Sequence, residues 1–534
     1  MTQYDYIVIG AGSAGCVVAN RMTQNSETTV LLLEAGNPDT KPEIQIPLES
    51  PNVPGSEVDW GYFSEPEPYL NNRKIFCPRG KVLGGSSSIN SMIYIRGNHH
   101  DYDHWQELGN PGWSYQDVLP YFQKSENQQR GANAYHGVDG ELSVTDLEST
   151  VVSQRFVEAA VAIGYNHNSD FNGIQQEGAG LYQLTVKDGK RHSAAAAFLV
   201  PILKRPNLTT RTGALVIRLL FEGIRIVGVE YMHSGILHQA KVNKEVILSA
   251  GAFDSPKLLM LSGIGDAEHL QAMGIPVVVD LPGVGQNLQD HFLVPVAHQL
   301  TAALHPAITN PVAHEVIAAF HPAMTSNGNA EAGLFLHTES NLDAAPDLQF
   351  FFGPMLWISP GKALSGLGFT VTVSLTHPQN IGSVSLRSPD PKDPPIIRMN
   401  FLQSQSDMQK VLEGVNIMRK LFQTSAFDQF RGEEIGPGAE VTSDEALFDY
   451  IREVCITGYH PVGTCKMGTD PMAVVDPELR VRGVTGLRVV DASIMPNLVG
   501  GNTNAPTIMI GEKGADLIKA AQGVSQQVAS SLAN

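Results

Sequence analysis

The sequence has few cysteines and no long apolar run. Four cysteines, Cys16, Cys77, Cys455 and Cys465, occur in 534 residues without a C-x-x-C pair, which excludes a disulfide framework and a zinc knuckle and favours a reducing compartment. The chain enters an apolar strand at once, without a basic signal-peptide start, and no window has about 18 uninterrupted apolar residues. We therefore expect a cytoplasmic protein without a transmembrane segment, and peripheral membrane contact stays open.

Positive charge is also scarce, since 36 Lys and Arg stand against 54 Asp and Glu, a formal net charge of −18. Nucleic acids and anionic membranes bind basic patches, so a nucleic-acid partner is excluded. Charged residues make up 17% of the chain, whereas Gly (51) and Pro (33) are frequent. This composition predicts a compact, loop-rich protein of about two to four domains rather than a disordered chain.

The clearest local pattern occupies the first 36 residues. An apolar strand at 6–9, the motif G-x-G-x-x-G at 10–15, a helix to about 24 and a strand at 30–33 form a βαβ unit. The three glycines allow a tight turn, close approach of a pyrophosphate and close helix packing. Glu34 follows the second strand and can accept the ribose hydroxyls. The unit predicts a dinucleotide site, without separating NAD from FAD.

Farther along the chain, residues 37–150 are predicted to form loops with short helices, whereas 207–229 and 245–251 look like strands. Residues 293–454 alternate in the manner of antiparallel strands, and a helix is expected to open near Asn504 and Pro506. We predict an α/β fold, α+β overall, with a Rossmann-like domain and a second, mainly antiparallel-sheet substrate domain. The boundaries are 1–155, 200–292 and 455–534 for the first domain, and 156–199 and 293–454 for the second.

Four segments go beyond generic dinucleotide chemistry. Residues 80–90 (GKVLGGSSSIN) and 251–265 (GAFDSPKLLMLSGIG) resemble the two signature motifs of the glucose-methanol-choline (GMC) oxidoreductases. Residues 460–468 and 500–506 resemble the active-site segments of that family. The resemblance spans residues 4 to 520 and is closest in kind to choline-dehydrogenase-like and aliphatic alcohol dehydrogenase members.

The resemblance implies FAD on the βαβ unit, with the flavin ring reaching the substrate domain. Some relatives attach FAD through a histidine at the position of Ile89, so the FAD is expected to be non-covalent. The expected cofactor residues are Gly10, Gly12, Ser13, Ala14, Gly15, Glu34, Ala35, Val82, Gly85, Asn90, Met92, Ile93, Val216, Ala250, Asp491, Ala492, Asn502 and Thr503.

His460 and Asn504 are the expected catalytic residues. Oxidation of a primary alcohol to an aldehyde removes a hydroxyl proton and a hydride, and the flavin N5 accepts the hydride. His460 matches the active-site histidine of the family and suits a general base near neutral pH. Asn504 is taken as its partner, which orients the substrate oxygen. The helix that opens there would direct its positive end at the reduced flavin.

Three residues are further candidates for the substrate pocket. Glu331 resembles an acid that contacts the cationic head of choline in relatives, and Phe351 and Trp357 suit either an apolar wall of the pocket or a core strand. No metal is expected, because the group His99, His100, Asp101, Asp103 and His104 lacks a recognised ligand spacing and fits a solvated loop. Cys465 is interpreted as a packed small residue.

The electron acceptor stays open between oxygen, a quinone and another carrier. NAD is disfavoured, since only one G-x-G-x-x-G occurs. Lyases on the same scaffold are the alternative class: hydroxynitrile lyases, or photodecarboxylases, which have a cysteine at the position of Thr376 and other residues at those of His460 and Asn504. The sequence determines neither the particular alcohol nor the oligomeric state.

Overall fold

The computed structural model describes residues 2–301, 330–338, 344–358 and 367–532. The strands are β1 (Thr2–Ile9), β2 (Val30–Leu33), β3 (Tyr62–Phe63), β4 (Phe76–Cys77), β5 (Glu126–Gln128), β6 (Leu142–Asp146), β7 (Gly178–Leu181), β8 (Gln183–Leu184), β9 (Val186–Lys187), β10 (Lys190–Arg191), β11 (Leu208–Arg211), β12 (Ala214–Glu222), β13 (Arg225–His233), β14 (Ile236–Leu248), β15 (Ile264–Gly265), β16 (Val279–Asp280), β17 (Phe292–Leu300), β18 (Ala332–Leu336), β19 (Leu348–Gly353), β20 (Gly368–Leu375), β21 (Ser383–Ser385), β22 (Ile396–Arg398), β23 (Arg431–Gly436), β24 (Ile456–Thr457) and β25 (Leu487–Val489). The α-helices are α1 (Ser13–Met22), α2 (Pro42–Gln45), α3 (His99–Glu107), α4 (Tyr115–Ser125), α5 (Val151–Ala162), α6 (Gly251–Leu261), α7 (Ala267–Ala272), α8 (Gln405–Phe422), α9 (Asp444–Val454) and α10 (Asn504–Leu532).

The first large sheet has the order β11-β2-β1-β14-β13-β12, with β25 paired to β14. Strands β11, β2, β1, β14 and β25 pair in parallel, whereas β12 to β14 form an antiparallel meander. Strand β2 is buried along its whole length, as a continuous apolar run in a parallel sheet requires. Helix α1 joins β1 to β2, so the Rossmann-like prediction is confirmed.

The second large sheet is antiparallel, in the order β23-β17-β20-β19-β18-β7, with β24 paired to β17. Every residue of β20 is buried. A cluster of tilted and edge-to-face ring pairs joins this sheet to α8 and to the short 3₁₀ turn Ser425–Phe427. Its members are Phe352, Phe369, Phe422 and Phe427. The antiparallel second sheet is therefore also confirmed.

The exact domain boundaries stay a prediction. The division between 155 and 156 falls inside α5, which packs on β7 and β18 of the second sheet. Strand β24, placed with the first domain, pairs with β17 of the second sheet. Segments assigned to one domain thus contact the sheet of the other at these two places.

Helix α3 corrects one local expectation. Residues 99–104 were expected to form a solvated loop, but they are helical because Asn98 and Asp101 form a reciprocal capping box. The Asp101 carboxylate is buried and also accepts hydrogen bonds from the Gly500 N–H (2.7 Å) and His377 Nε2 (2.6 Å). It therefore anchors the segment that precedes α10.

Helix α10 begins at Asn504, as expected, and packs against α1. A methyl group on Gly511 would lie 3.0 Å from Ala14 O, so the two helices are in close contact and their N-termini lie side by side. Among the helices in the described part of the chain, none is both long and apolar enough to cross a bilayer.

Candidate active site

A cavity of about 710 Å³ is lined by residues of both large sheets. One part of its wall comes from the loop before α1 and from the end of β2. Another comes from β17, β19 and β20, and from the segment around His460. A concave site between two domains is a usual place for a cofactor and its substrate.

The loop before α1 leaves its middle glycine open to the cavity. Gly10 has φ +95°, and a Cβ there would lie 2.4 Å from Ser249 O; a Cβ on Gly15 would lie 1.9 Å from Gly10 O. Gly12 has no atom within 4 Å of its Cβ position, and no side chain caps the helix that follows. This open backbone surface at a helix N-terminus fits a pyrophosphate.

Glu34 lies at the end of β2 and lines the same cavity. Its Oε2 accepts the Ala11 N–H and its Oε1 accepts the Gly36 N–H, both at 2.8 Å. Burial raises the pKa of Glu34 to about 7, although both backbone hydrogen bonds favour the carboxylate. Each oxygen keeps a lone pair, as acceptance of ribose hydroxyls requires.

Two further acids line the cavity and already have protein partners. The Asp491 carboxylate accepts hydrogen bonds from Gly251, Ser255 and Ser493, which joins the segment after β25 to the start of α6. The Asp254 carboxylate accepts the Tyr62 hydroxyl at 2.8 Å. Burial raises the pKa of both acids.

The backbone before His460 is held in an unfavourable conformation. Tyr459 has φ +67°, the left-handed region that non-glycine residues rarely adopt. Asp290 stabilises the turn, since its Oδ1 accepts the His460 N–H at 2.7 Å and its Oδ2 accepts the Thr457 hydroxyl at 2.5 Å. Arg79 donates to Tyr459 O at 2.5 Å. The position of His460 is thus determined by several side chains.

The His460 ring has a partner at each nitrogen. Nε2 lies 3.1 Å from Asn502 Nδ2, and Nδ1 lies 2.9 Å from His291 Nδ1. Burial lowers the pKa of His460 well below its usual value, and His291 and the nearby Arg79 charge lower it further. The imidazole is therefore neutral at neutral pH and able to accept a proton.

Asn502, not Asn504, is the partner of His460 in the structure. Asn504 is the first residue of α10, which packs on α1, so its Oδ1 accepts the Ser13 hydroxyl at 2.7 Å. The sequence N-T-N holds two asparagines of the same chemistry, and no local signal says which one faces the histidine. The pairing of His460 with Asn504 was therefore wrong by two positions.

Most of the residues predicted for the site line the cavity. Those that do are Gly10, Gly12, Ser13, Ala14, Glu34, Ala35, Gly85, Asn90, Met92, Ile93, Val216, Ala250, Phe351, Trp357, His460, Asp491, Ala492, Asn502, Thr503 and Asn504. Gly15 lies behind the loop. Val82 does not line the cavity, because its side chain is buried in an apolar cluster with Ile44, Val53 and Val58.

Glu331, predicted for the substrate pocket, is not among the residues that line the described cavity. Its side chain is fully buried, and Oε2 accepts hydrogen bonds from the Thr150 N–H (2.8 Å), the Thr150 hydroxyl (2.7 Å) and the Ser153 hydroxyl (2.7 Å). It therefore stabilises the start of α5. This contact spans about 180 residues of sequence, which is why the local pattern around Glu331 did not predict it.

The sequence analysis missed several residues of the site: Arg79, Asp254, Asp290, His291 and Gln349. Asp290 and His291 are 0% and 1% exposed and come directly before the apolar strand β17. A pair of ionisable residues directly before a buried apolar strand is the sequence signal that would have identified them.

Known families and proteins match the chain over most of its length. GMC oxidoreductase family models match residues 4–293 and 378–511. The chain is 45% identical to the oxygen-dependent choline dehydrogenase of Sinorhizobium fredii, over 98% of this chain and 97% of that protein. It is 43% identical to the mitochondrial choline dehydrogenase of Mus musculus, over 97% and 89%.

Solved structures have the same fold. Pyridoxine 4-oxidase from Mesorbium loti is 31% identical, with a TM-score of 0.88 over 96% of this chain and 98% of that one. Formate oxidase from Aspergillus oryzae RIB40 is 27% identical, with a TM-score of 0.89 over 97% and 98%.

The chain belongs to the GMC oxidoreductase family. It is an FAD-dependent oxidoreductase that acts on CH–OH groups. The open loop at Gly12, the acceptor Glu34 and the two adjacent helix N-termini fit FAD.

Proposed function

We propose that the protein oxidises a primary alcohol to an aldehyde, with FAD held non-covalently, His460 as the general base and an electron acceptor other than NAD. The observation that carries the proposal is the pair His460 Nε2 and Asn502 Nδ2, 3.1 Å apart on the wall of the cavity that Glu34 and Gly12 also line. When bound, FAD supplies the hydride acceptor, the flavin N5.

The protein side of the reaction needs a proton acceptor and a hydrogen-bond donor at one oxygen. Neutral His460 takes the hydroxyl proton at Nε2, and Asn502 Nδ2 donates to the same oxygen as negative charge develops on it. Asp290 keeps the ring in place through the His460 backbone N–H. These groups orient the alcohol and move its proton.

Ile89 supports dissociable FAD, because it lines the cavity and has no nucleophilic atom. The four cysteines are buried free thiols, which supports a reducing, cytoplasmic compartment.

The described wall favours a substrate with an uncharged, apolar tail. Apolar side chains from β17, β24 and the β19–β20 region line this part of the cavity: Leu293, Phe351, Met355, Trp357 and Ile456. The three acids among the described lining residues, Glu34, Asp254 and Asp491, each accept hydrogen bonds from the protein. These acids are thus engaged by the protein, and the tail-binding wall itself is uncharged, although the similar dehydrogenases are named for choline.

The test compares choline with 3,3-dimethylbutan-1-ol, which has the same shape without the charge. The purified protein is kept anaerobic, and its flavin spectrum is recorded before and after each alcohol, with benzyl and medium-chain aliphatic alcohols beside them. We expect bleaching, at least as fast with the uncharged isostere as with choline. Faster bleaching by choline would overturn the substrate class but not the reaction.

Two further results of the same experiment bear on the reaction itself. Admission of air separates the acceptors, since rapid recovery of the oxidised spectrum indicates oxygen and slow recovery indicates a quinone or another carrier. Product formation without bleaching would contradict the oxidation and favour a lyase.

A further inference from the structure

A line of hydrogen bonds runs from the backbone of Thr376 to His460. His291 Nε2 lies 2.9 Å from Thr376 O, and His291 Nδ1 lies 2.9 Å from His460 Nδ1. A backbone carbonyl only accepts, so the proton of neutral His291 is on Nε2 and its Nδ1 has a lone pair. His460 Nδ1 must then be the donor, which leaves His460 Nε2 without a proton.

A second line of hydrogen bonds reaches His460 Nε2, on the opposite side of the ring from His291. The Tyr182 hydroxyl donates to Phe350 O at 2.8 Å and accepts from Gln349 Nε2 at 3.2 Å. The same Gln349 amide group faces Asn502 Oδ1 at 3.5 Å. Asn502 therefore turns its Nδ2 toward His460, and an amide NH₂ only donates. Both lines place a lone pair on Nε2.

The surroundings keep His291 neutral. Its side chain is 1% exposed, and burial lowers its pKa to about 4, with the neighbouring His377 lowering it and Asp101 raising it. On the other side of His460 the Arg79 charge lowers the pKa of that ring, and Asp290 binds its backbone N–H. His291 thus acts as an acceptor across the neutral range.

We propose that His291 is a positioning residue that holds His460 in the tautomer with its proton on Nδ1 and its base at Nε2. What the base does rests on the proposed function, but the tautomer does not. In the reaction the hydroxyl proton bonds to Nε2 while the hydride leaves with its electron pair to FAD. The Nδ1 proton stays on His460 and continues to donate to His291.

The direct test is ¹⁵N NMR of the FAD-loaded protein with labelled histidine, without substrate. His460 is assigned by its loss in His460→Gln, and His291 by its loss in His291→Asn. We expect a protonated Nδ1 and an unprotonated Nε2 in His460, and the opposite arrangement in His291. A protonated Nε2 in His460 would overturn the proposal.

The second test uses rates of anaerobic flavin reduction. His291→Phe keeps a ring but removes the acceptor, and we expect a loss of about 10²-fold; in serine proteases the wrong histidine tautomer costs about 10⁴ in kcat. His291→Asn supplies an amide oxygen near the Nδ1 position, and its reduction rate should be at least about tenfold higher than that of His291→Phe. The substrate dissociation constant should change little.

A matched control is His298→Phe, a buried histidine on β17 that stacks on Phe369 and lies outside both lines. We expect wild-type reduction rates from it. Wild-type rates in His291→Phe, or equal losses in the Phe and Asn variants, would contradict the positioning role. If His291→Phe does not fold, the NMR result of the wild type decides.

The two proposals fail separately. The proposed function fails if no alcohol bleaches the flavin, or if alcohol reduces the flavin of His460→Ala at the wild-type rate. The tautomer of His460 can still be determined by NMR in either case. If alcohols bleach the flavin but His460 carries its proton on Nε2, the role of His291 fails alone.

Discussion

Asn502 and Asn504 are separated by a single threonine, yet their side chains meet different partners. Asn502 contacts His460, whereas Asn504 binds Ser13 at the N-terminus of α1. In the proposed reaction Asn502 therefore takes part in the chemistry, whereas Asn504 belongs to the contact between two helices. Substitution of each one separates these roles.

We expect Asn502→Ala to lower the rate constant of flavin reduction by about 10²-fold, the usual cost of losing a donor to developing negative charge. Asn504→Ala is the matched control, and it should leave that rate within about threefold while FAD dissociates more readily. Stopped-flow reduction and flavin fluorescence measure the two effects. The reverse pattern would restore Asn504 as the partner of His460.

We expect Glu34 to make FAD binding depend on pH. Its pKa of about 7 in the protein without FAD means that the carboxylate, the form that accepts ribose hydroxyls best, is lost as the pH falls from 8 to 6. We expect the FAD Kd to rise by about tenfold over that range, measured by quenching of flavin fluorescence. Glu34→Gln should bind more weakly and without this pH dependence. A flat wild-type profile would contradict the role.

At the scale of elements, some parts of the site were predictable and others were not. The βαβ unit and the start of α10 follow from local signals, the glycine motif and the Asn-Ala-Pro sequence. The turn at Tyr459 does not, because its left-handed backbone is supported by Asp290 and Arg79 from distant segments. Val82 and Glu331 do not line the described cavity for the same reason, since tertiary contacts determine where their side chains point.

Substitution of Thr457 tests whether its hydroxyl stabilises the turn at Tyr459. Its hydroxyl donates to Asp290 Oδ2 at 2.5 Å and accepts the Tyr459 N–H at 2.7 Å. Thr457→Val removes the partner of the Tyr459 N–H and one of the partners of the Asp290 carboxylate, which keeps the His460 N–H. A buried polar group left unsatisfied costs about 1–3 kcal/mol, so we expect a lower melting temperature and slower flavin reduction. Thr457→Ser keeps the hydroxyl and should behave like the wild type. Equal melting temperatures for the Val and Ser variants would show that the Thr457 hydroxyl does not stabilise the turn.

At the scale of the whole molecule, two sheets with different tasks share one cavity. The parallel sheet supplies the phosphate loop and Glu34, and the antiparallel sheet supplies the apolar wall that includes Phe351. The sequence predicted both sheets, because periodicity and glycine motifs reflect local geometry. It did not predict the pairing of His291 with His460, which joins positions 169 residues apart.

The most direct measurement is anaerobic stopped-flow reduction of the flavin in His460→Ala and in the wild type, each loaded with FAD. General base catalysis is worth about 10² to 10⁴ in rate, so we expect a loss of that size with the FAD content unchanged. A loss of less than about fivefold, with FAD still bound, would show that His460 is not the base.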